Sequence, residues 1–280
     1  MTMPRRFIQC DVFSATPTKG NALAVVVDGN GLSDEAMQRF ARWTNLAETT
    51  FLMKPDVAGA DYKVRIFTPA REMPFAGHPT LGSCMAWLEA GGTPRNAKLV
   101  RQQCEVGIIE IDLSTGTPAF AAPPTKVSPM EPAENKRIRE QLGLRQDQII
   151  NTVELDNGPI WQLFELRSAA EVLEVDSSKV KWPEFRAIGL LGKASDSPGI
   201  DYEVRMLAPS SGMSEDPITG SLNAAIAKWL LSIDRLNEDI VVAQGRCIER
   251  DGRVTIRADK DGTIWIGGDV HMVVEGEVRL

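Results

Sequence analysis

The chain repeats a piece of itself, and this limits the folds open to it more than any other feature. Tyr62-Lys63-Val64-Arg65-Ile66-Phe67-Thr68-Pro69 returns as Tyr202-Glu203-Val204-Arg205-Met206-Leu207-Ala208-Pro209, keeping Tyr, Val, Arg and Pro at one constant offset. Both copies alternate in the manner of a strand. Further on, His78-Pro79-Thr80-Leu81-Gly82-Ser83 lines up with Asp216-Pro217-Ile218-Thr219-Gly220-Ser221. Each copy then continues into good helix formers, Cys84 to Leu88 and Leu222 to Leu230, apolar enough to be buried. The repeated unit is strand, loop, buried helix. Self-similarity of this kind predicts a duplicated domain and a pseudo-twofold cleft between its halves.

A proline-dense stretch, Ser114 to Pro124 followed by Pro129 and Pro132, separates the copies. Proline fixes φ and removes a backbone donor, so this density ends regular structure and suits a crossing between domains. The predicted first domain covers 1–117 with a returning strand at about 268–280, and the second covers 118–267. Further strands read from Leu23 to Val27, Gly107 to Ile111 and Thr263 to Gly268, with Asp261-Gly262 a hairpin signal. Helices fit Asp34 to Trp43, capped by Ser33, and Glu134 to Leu142, while Asp56 to Ala60 and Asn157-Gly158-Pro159 break the chain.

With 280 residues, 43% hydrophobic and 25% charged, the chain can bury a full core. A formal net charge of −7 repels phosphate backbones and anionic lipid, so neither nucleic acid nor a membrane surface is an expected partner. Met1 to Cys10 lacks the apolar core of a secretion signal, and no apolar run approaches the roughly 20 residues of a membrane span. The expectation is a soluble, cytoplasmic protein. Four cysteines at 10, 84, 104 and 247 form no CxxC pair, and the two histidines, His78 and His271, lie far apart in sequence. No metal site is expected from that spacing.

Glu48 lies in Asn45-Leu46-Ala47-Glu48-Thr49-Thr50-Phe51, between a polar loop cluster and an apolar residue. Half-burial there would disfavour its charged form and raise its pKa into the range useful for exchanging a proton near neutral pH. On spacing alone it remains one of 38 acidic residues, most of which sit on the surface. His78 and Asp216 each stand near a helix start, where free N–H groups attract an anion, and two such starts would seat a carboxylate. The same residues also read as ordinary helix-start chemistry, with Thr80 or Thr219 capping and proline in the first turn. Gly29-Asn30-Gly31 is too short for a phosphate loop, and Ser210-Ser211-Gly212 is no nucleophile elbow.

Taken together, Gly20 to Val26, Asn45 to Phe51, Phe67-Thr68-Pro69, Glu72, Gly77-His78-Pro79-Thr80 and Glu215 to Ser221 resemble the PhzF, or phenazine biosynthesis-like, family, in that family's order. The resemblance implies a diaminopimelate-epimerase-like α/β (α+β) fold: two pseudo-twofold-related domains, each a curved, mainly antiparallel sheet around a central helix. It makes Glu48 the proton carrier, with His78 and Asp216 as its polar partners, and Gly77, Gly220 and Ser221 as substrate-binding positions. It implies a cofactor-independent isomerase of a small cyclic or amino carboxylate, and a homodimer. A hydro-lyase and a non-catalytic metabolite-binding protein share the same site and stay open. Leu222-Asn223 stands where the family commonly has Ala-His, and Glu249-Arg250-Asp251-Gly252 replaces its usual Gly-Arg-Pro-Gly.

Overall fold

The computed structural model describes residues 3–180, 187–208 and 214–280. Pro209, which closes the second copy of the repeated strand, and Ser210-Ser211-Gly212 lie outside the described residues. The chain divides into two compact units, Met1–Ala121 with Gly267–Leu280, and Ala122–Ile266.

Unit 1 opens with β1 (Pro4–Val12), β2 (Asn21–Val26), α1 (Asp34–Thr44), β3 (Glu48–Met53), β4 (Tyr62–Phe67) and β5 (Glu72–Met73). It continues through α2 (Gly77–Glu89), β6 (Leu99–Cys104), β7 (Gly107–Asp112) and β8 (Ala119–Ala121). Unit 2 holds β9 (Lys126–Pro129), α3 (Pro132–Leu142), β10 (Ile149–Asp156), β11 (Ile160–Leu166), α4 (Ala169–Glu174), β12 (Ala187–Lys193) and β13 (Tyr202–Leu207). After α5 (Gly220–Ser232), β14 (Ile240–Gln244), β15 (Gly252–Ala258) and β16 (Ile264–Gly267), the chain returns to unit 1 as β17 (Val270–Arg279).

Pairing shows how far the duplication reaches. From β1 through β2, β3, β4 and β6 to β7 the junctions are antiparallel, parallel, antiparallel, parallel, antiparallel. From β10 through β11, β12, β13 and β14 to β15 they follow the same pattern. A parallel pair needs a crossover, and helices supply it at matching places: α1 and α4 at the first, α2 and α5 at the second. Outer strands complete each ladder, with β17 antiparallel to β1 in unit 1 and β9 antiparallel to β10 in unit 2. This is the sheet-dominated α+β architecture expected from the sequence.

Each helix follows from its residues. Ser33 caps α1 by accepting from the Ala36 N–H, Asp34 and Glu35 complement the helix dipole, and Asn45, in the left-handed region at φ 54°, ends it. One face of α1, Met37, Phe40 and Ala41, packs with Val26, Phe51 and Phe67. α2 and α5 are apolar on every side and are the central helices of their units. α2 packs against β1, β2, β3, β6, β8 and β17, and α5 against β10 and β15.

Two expectations are corrected. The proline-dense stretch carries β8 and β9, because Ala119-Phe120-Ala121 and Lys126-Val127-Ser128 are proline-free windows long enough to pair, and Pro129 merely ends β9. The alignment of Gly82-Ser83 with Gly220-Ser221 also fails as a structural register. α2 and α5 are both 13 residues long, so their starts match Gly77 with Gly220 and Thr80 with Asn223. The two glycines serve different needs. A Cβ on Gly82 would meet Leu23 Cδ2 at 2.6 Å and Cys10 Sγ at 2.9 Å, so Gly82 lets α2 press onto the sheet, whereas Gly220 begins a helix.

Candidate active site

In unit 1 three element starts converge. Asn21 begins β2, Glu48 begins β3 in parallel register with Leu23, and His78 is the second residue of α2. His78 Nε2 lies 3.3 Å from Glu48 Oε2, and Asn21 Nδ2 lies 3.3 Å from His78 Nδ1. With the Asn21 amide donating, Nδ1 accepts and the ring proton sits on Nε2. His78 is buried, and burial pushes its pKa from 6.5 down to about 3. At neutral pH the His78 imidazole is therefore uncharged, and the contact is not an ion pair. Glu48 is half-buried, its side chain 17% exposed.

Buried hydrogen bonds hold α2 in this position. Tyr62 Oη donates to Gln102 Oε1 (2.8 Å), Gln102 Nε2 donates to Thr80 Oγ1 (3.1 Å), and Thr80 Oγ1 donates to the Ala76 carbonyl (2.9 Å). Ser83 Oγ donates to Thr50 Oγ1 (2.9 Å), tying α2 to β3. Asn21 is set in turn by Gly20, whose N–H donates to Asp11 Oδ2 (2.8 Å) and whose absent Cβ would overlap the Val12 carbonyl oxygen at 2.3 Å.

In unit 2 Asp216 follows the repeated strand and bridges back to it, its N–H donating to the Met206 carbonyl (3.0 Å). Thr219 occupies the cap position of α5, yet its hydroxyl makes no cap bond and donates instead to Asp216 Oδ2. Gly220 and Ser221 are the first two residues of α5, as Gly77 and His78 are of α2. These two helices differ from the others. Ser33, Glu131 and Ser168 cap α1, α3 and α4 through their side chains, while α2 and α5 start with no side-chain cap and no acid in the first turn. Their first N–H groups are thus left to a ligand or solvent, and the dipole there favours an anion. Thr80, a capping candidate in the sequence, lies inside α2.

Each repeated arginine holds a glutamate beside these loops. Arg65 forks onto Glu72 (2.7 and 2.6 Å), and Arg205 forks onto Glu215 (3.0 and 2.7 Å), next to Asp216. Arg205 also donates to the Val172 and Val175 carbonyls at the end of α4.

The structure brings Glu48 and His78 together in unit 1, and Asp216, Gly220 and Ser221 onto one helix start in unit 2. Asn21, Thr219, Gln244 and Asn223 join these groups; the sequence marks Thr219 as a capping candidate and Asn21 and Asn223 only within motifs, and it assigns none of the four to the site. No group of three or more His, Cys, Asp or Glu side chains among the described residues is placed to hold a metal ion. Burial pushes the Cys10 and Cys84 thiols up to about 12, which leaves them unreactive. No helix among the described residues is long and apolar enough to cross a membrane.

A family model described as phenazine biosynthesis-like protein matches residues 10–276. The chain is 32% identical over 295 residues to antisense-enhancing sequence 1 of Schizosaccharomyces pombe, covering 97% of each chain. It is 30% identical over 291 residues to trans-2,3-dihydro-3-hydroxyanthranilate isomerase of Pseudomonas aeruginosa, covering 98% of this chain and 99% of the relative. Among solved structures, a PhzF-family phenazine biosynthesis protein of Bacillus anthracis shares the fold at a TM-score of 0.84 and 22% identity, with 99% of this chain and 100% of that one covered.

Proposed function

The chain belongs to the phenazine biosynthesis-like family and is an isomerase, and from that premise we propose that it moves a proton between two carbons of a small cyclic or amino carboxylate, with Glu48 as the carrier. One observation carries this reading: the Glu48 carboxylate, half-buried at a strand start, faces a neutral, fully enclosed His78 at 3.3 Å. A half-buried carboxyl group at an element start is the kind of positioned acid or base that proton transfer on a substrate requires.

Glu48 takes a proton from one carbon of the substrate and delivers a proton, exchangeable with solvent while the carboxyl group holds it, to another, so the product is an isomer and nothing is oxidised. His78, neutral and fixed by Asn21, stands with Nε2 3.3 Å from Glu48 Oε2 as a polar neighbour of the proton carrier. The uncapped starts of α2 and α5 offer the N–H groups of Gly77 and Gly220, and the latter also the Ser221 hydroxyl, as seats for the substrate carboxylate. Asp216 is the second polar partner of the reacting molecule. A single general acid/base contributes about 10² to 10⁴ in rate, and orientation by the carboxylate seats supplies more. The substrate class draws support from the isomerase relative, whose named substrate is an amino carboxylate on a ring.

The test is a panel of cyclic and amino carboxylates incubated with the protein in deuterated water, read by mass spectrometry and by NMR for carbon-bound deuterium. An isomer formed by wild-type protein and not by Glu48→Gln is the expected result. A product lighter by one water would make the protein a hydro-lyase. Binding without exchange or conversion across the panel would remove the catalytic reading.

A further inference from the structure

We propose that Gln244, clamped by Asn223, is a positioning residue that turns the Thr219 hydroxyl proton onto the Asp216 carboxylate and so commits Asp216 to accepting hydrogen bonds. This rests on Asp216 being a residue of the active site, as argued above.

Backbone groups fix the direction of every link. The Thr219 N–H donates to Gln244 Oε1 at 3.1 Å, and Gln244 Nε2 donates to the Asp216 carbonyl at 3.2 Å. A main-chain N–H can only donate and a main-chain carbonyl can only accept, so the Gln244 amide has one possible orientation. Its second amide hydrogen then points at Thr219 Oγ1, 3.0 Å away. A hydroxyl that accepts there spends its single proton elsewhere, and Thr219 spends it on Asp216 Oδ2. A donor aimed at a carboxylate favours the ionised form.

Asn223 locks the arrangement. It is completely buried on α5 and donates to the Thr219 carbonyl and to Gln244 Oε1, both at 3.0 Å. Its own Oδ1 has no hydrogen-bond partner among the described residues. Burying an unpaired acceptor is a cost that leucine at this position would avoid, and the two hydrogen bonds that Asn223 donates offset it. The loop has no slack either. A Cβ on Gly245 would stand 2.7 Å from the Pro217 carbonyl oxygen, and one on Gly252 would stand 2.2 Å from Ile218 Cγ1.

Unit 1 provides an internal comparison. Thr80, the counterpart of Asn223 in α2, likewise meets a glutamine of the following strand, Gln102, but that chain runs on to the Tyr62 hydroxyl rather than to an acid. Delivery of a proton donor to a carboxylate therefore belongs to unit 2. An Asp216 held as an acceptor calls for a hydrogen-bond donor on the substrate, an amino or hydroxyl group.

The experiment follows Asp216 directly, by NMR of protein carrying carboxyl-¹³C aspartate, with the Asp216 resonance identified by its loss in Asp216→Asn. The adjacent carboxyl, Glu215, is not labelled and is held by the Arg205 fork. Thr219→Val should raise the titration midpoint of Asp216 by about one to two pH units, the worth of one hydrogen bond to a charged group. Gln244→Met, which adds no charge, should raise it in the same direction. In a Thr219→Val background, Gln244→Met should add nothing. An unmoved midpoint in Gln244→Met, or an equal shift in both backgrounds, would overturn the proposal. Asn223→Leu is the companion variant, since it removes the clamp together with the unpaired oxygen. It should raise the midpoint by a smaller amount, and no rise would also overturn the proposal. Activity is read separately: Asp216→Asn with undiminished deuterium exchange would remove Asp216 from the mechanism while leaving the titration result in force.

Discussion

Glu48→Gln preserves the shape of the side chain and removes its basicity, so carbon-bound deuterium uptake should fall by about 10² to 10⁴ while the urea unfolding midpoint holds. His78 makes a prediction of a different kind. It takes up a proton near pH 6.5 when unfolded but only near pH 3 when folded. Between those values the unfolded chain binds the extra proton, so stability is fully present above about pH 6.5 and drains away as the pH falls towards 3. His78→Asn should flatten the dependence of unfolding free energy on pH between 6 and 4 by up to about 1.4 kcal/mol per pH unit, measured by urea titration at each pH. An unchanged slope would mean that His78 is charged in the folded protein. The half-burial of Glu48 was legible in the sequence because a polar loop meets an apolar strand there. Asn21 and Gln244 were not legible as partners, since each acquires its role only when the end of one strand is laid beside another segment far along the chain.

Among the elements, the repeated strand offers a paired experiment, because the same arginine fork occurs in two environments. Arg205 and Glu215 are 2% and 1% exposed, whereas Arg65 and Glu72 are 20% and 34% exposed. Arg205→Met leaves a carboxylate buried without its partner and should cost about 3 to 5 kcal/mol. Arg65→Met should cost about 1 kcal/mol or less, since solvent screens that pair. Equal losses in urea unfolding would show that burial does not decide the worth of the fork. The repeat displayed both arginines in the sequence, yet it hid which one was enclosed, because exposure depends on α4 delivering the Val172 and Val175 carbonyls to Arg205. α1 was readable from its Ser33 cap. The parallel junctions β2–β3 and β11–β12 were not, since residues separated by a helical crossover leave no periodic trace of their pairing.

At the level of the whole molecule, the sequence showed one strand, loop and helix in duplicate, and the structure extends the correspondence to six strands and two helices in each unit. Similarity decayed over the remaining strands because a strand needs only the right alternation and burial, which many residue choices satisfy. The paired ladders also lead to a consequence for biosynthesis. β17, which runs the full length of β1 and places Arg6 beside Glu275 across 269 residues of chain, is translated after all of unit 2. Unit 2 is contiguous in the chain and needs no later segment, so it can complete its own fold without the missing strand of unit 1. Until that segment emerges, β1 shows an open edge, the kind of surface that chaperones shield and that pairs wrongly with neighbours. Chains released with their end before Val270 should therefore resist protease across unit 2 and be cut within 1–121, and equal protection of both would refute this order of events.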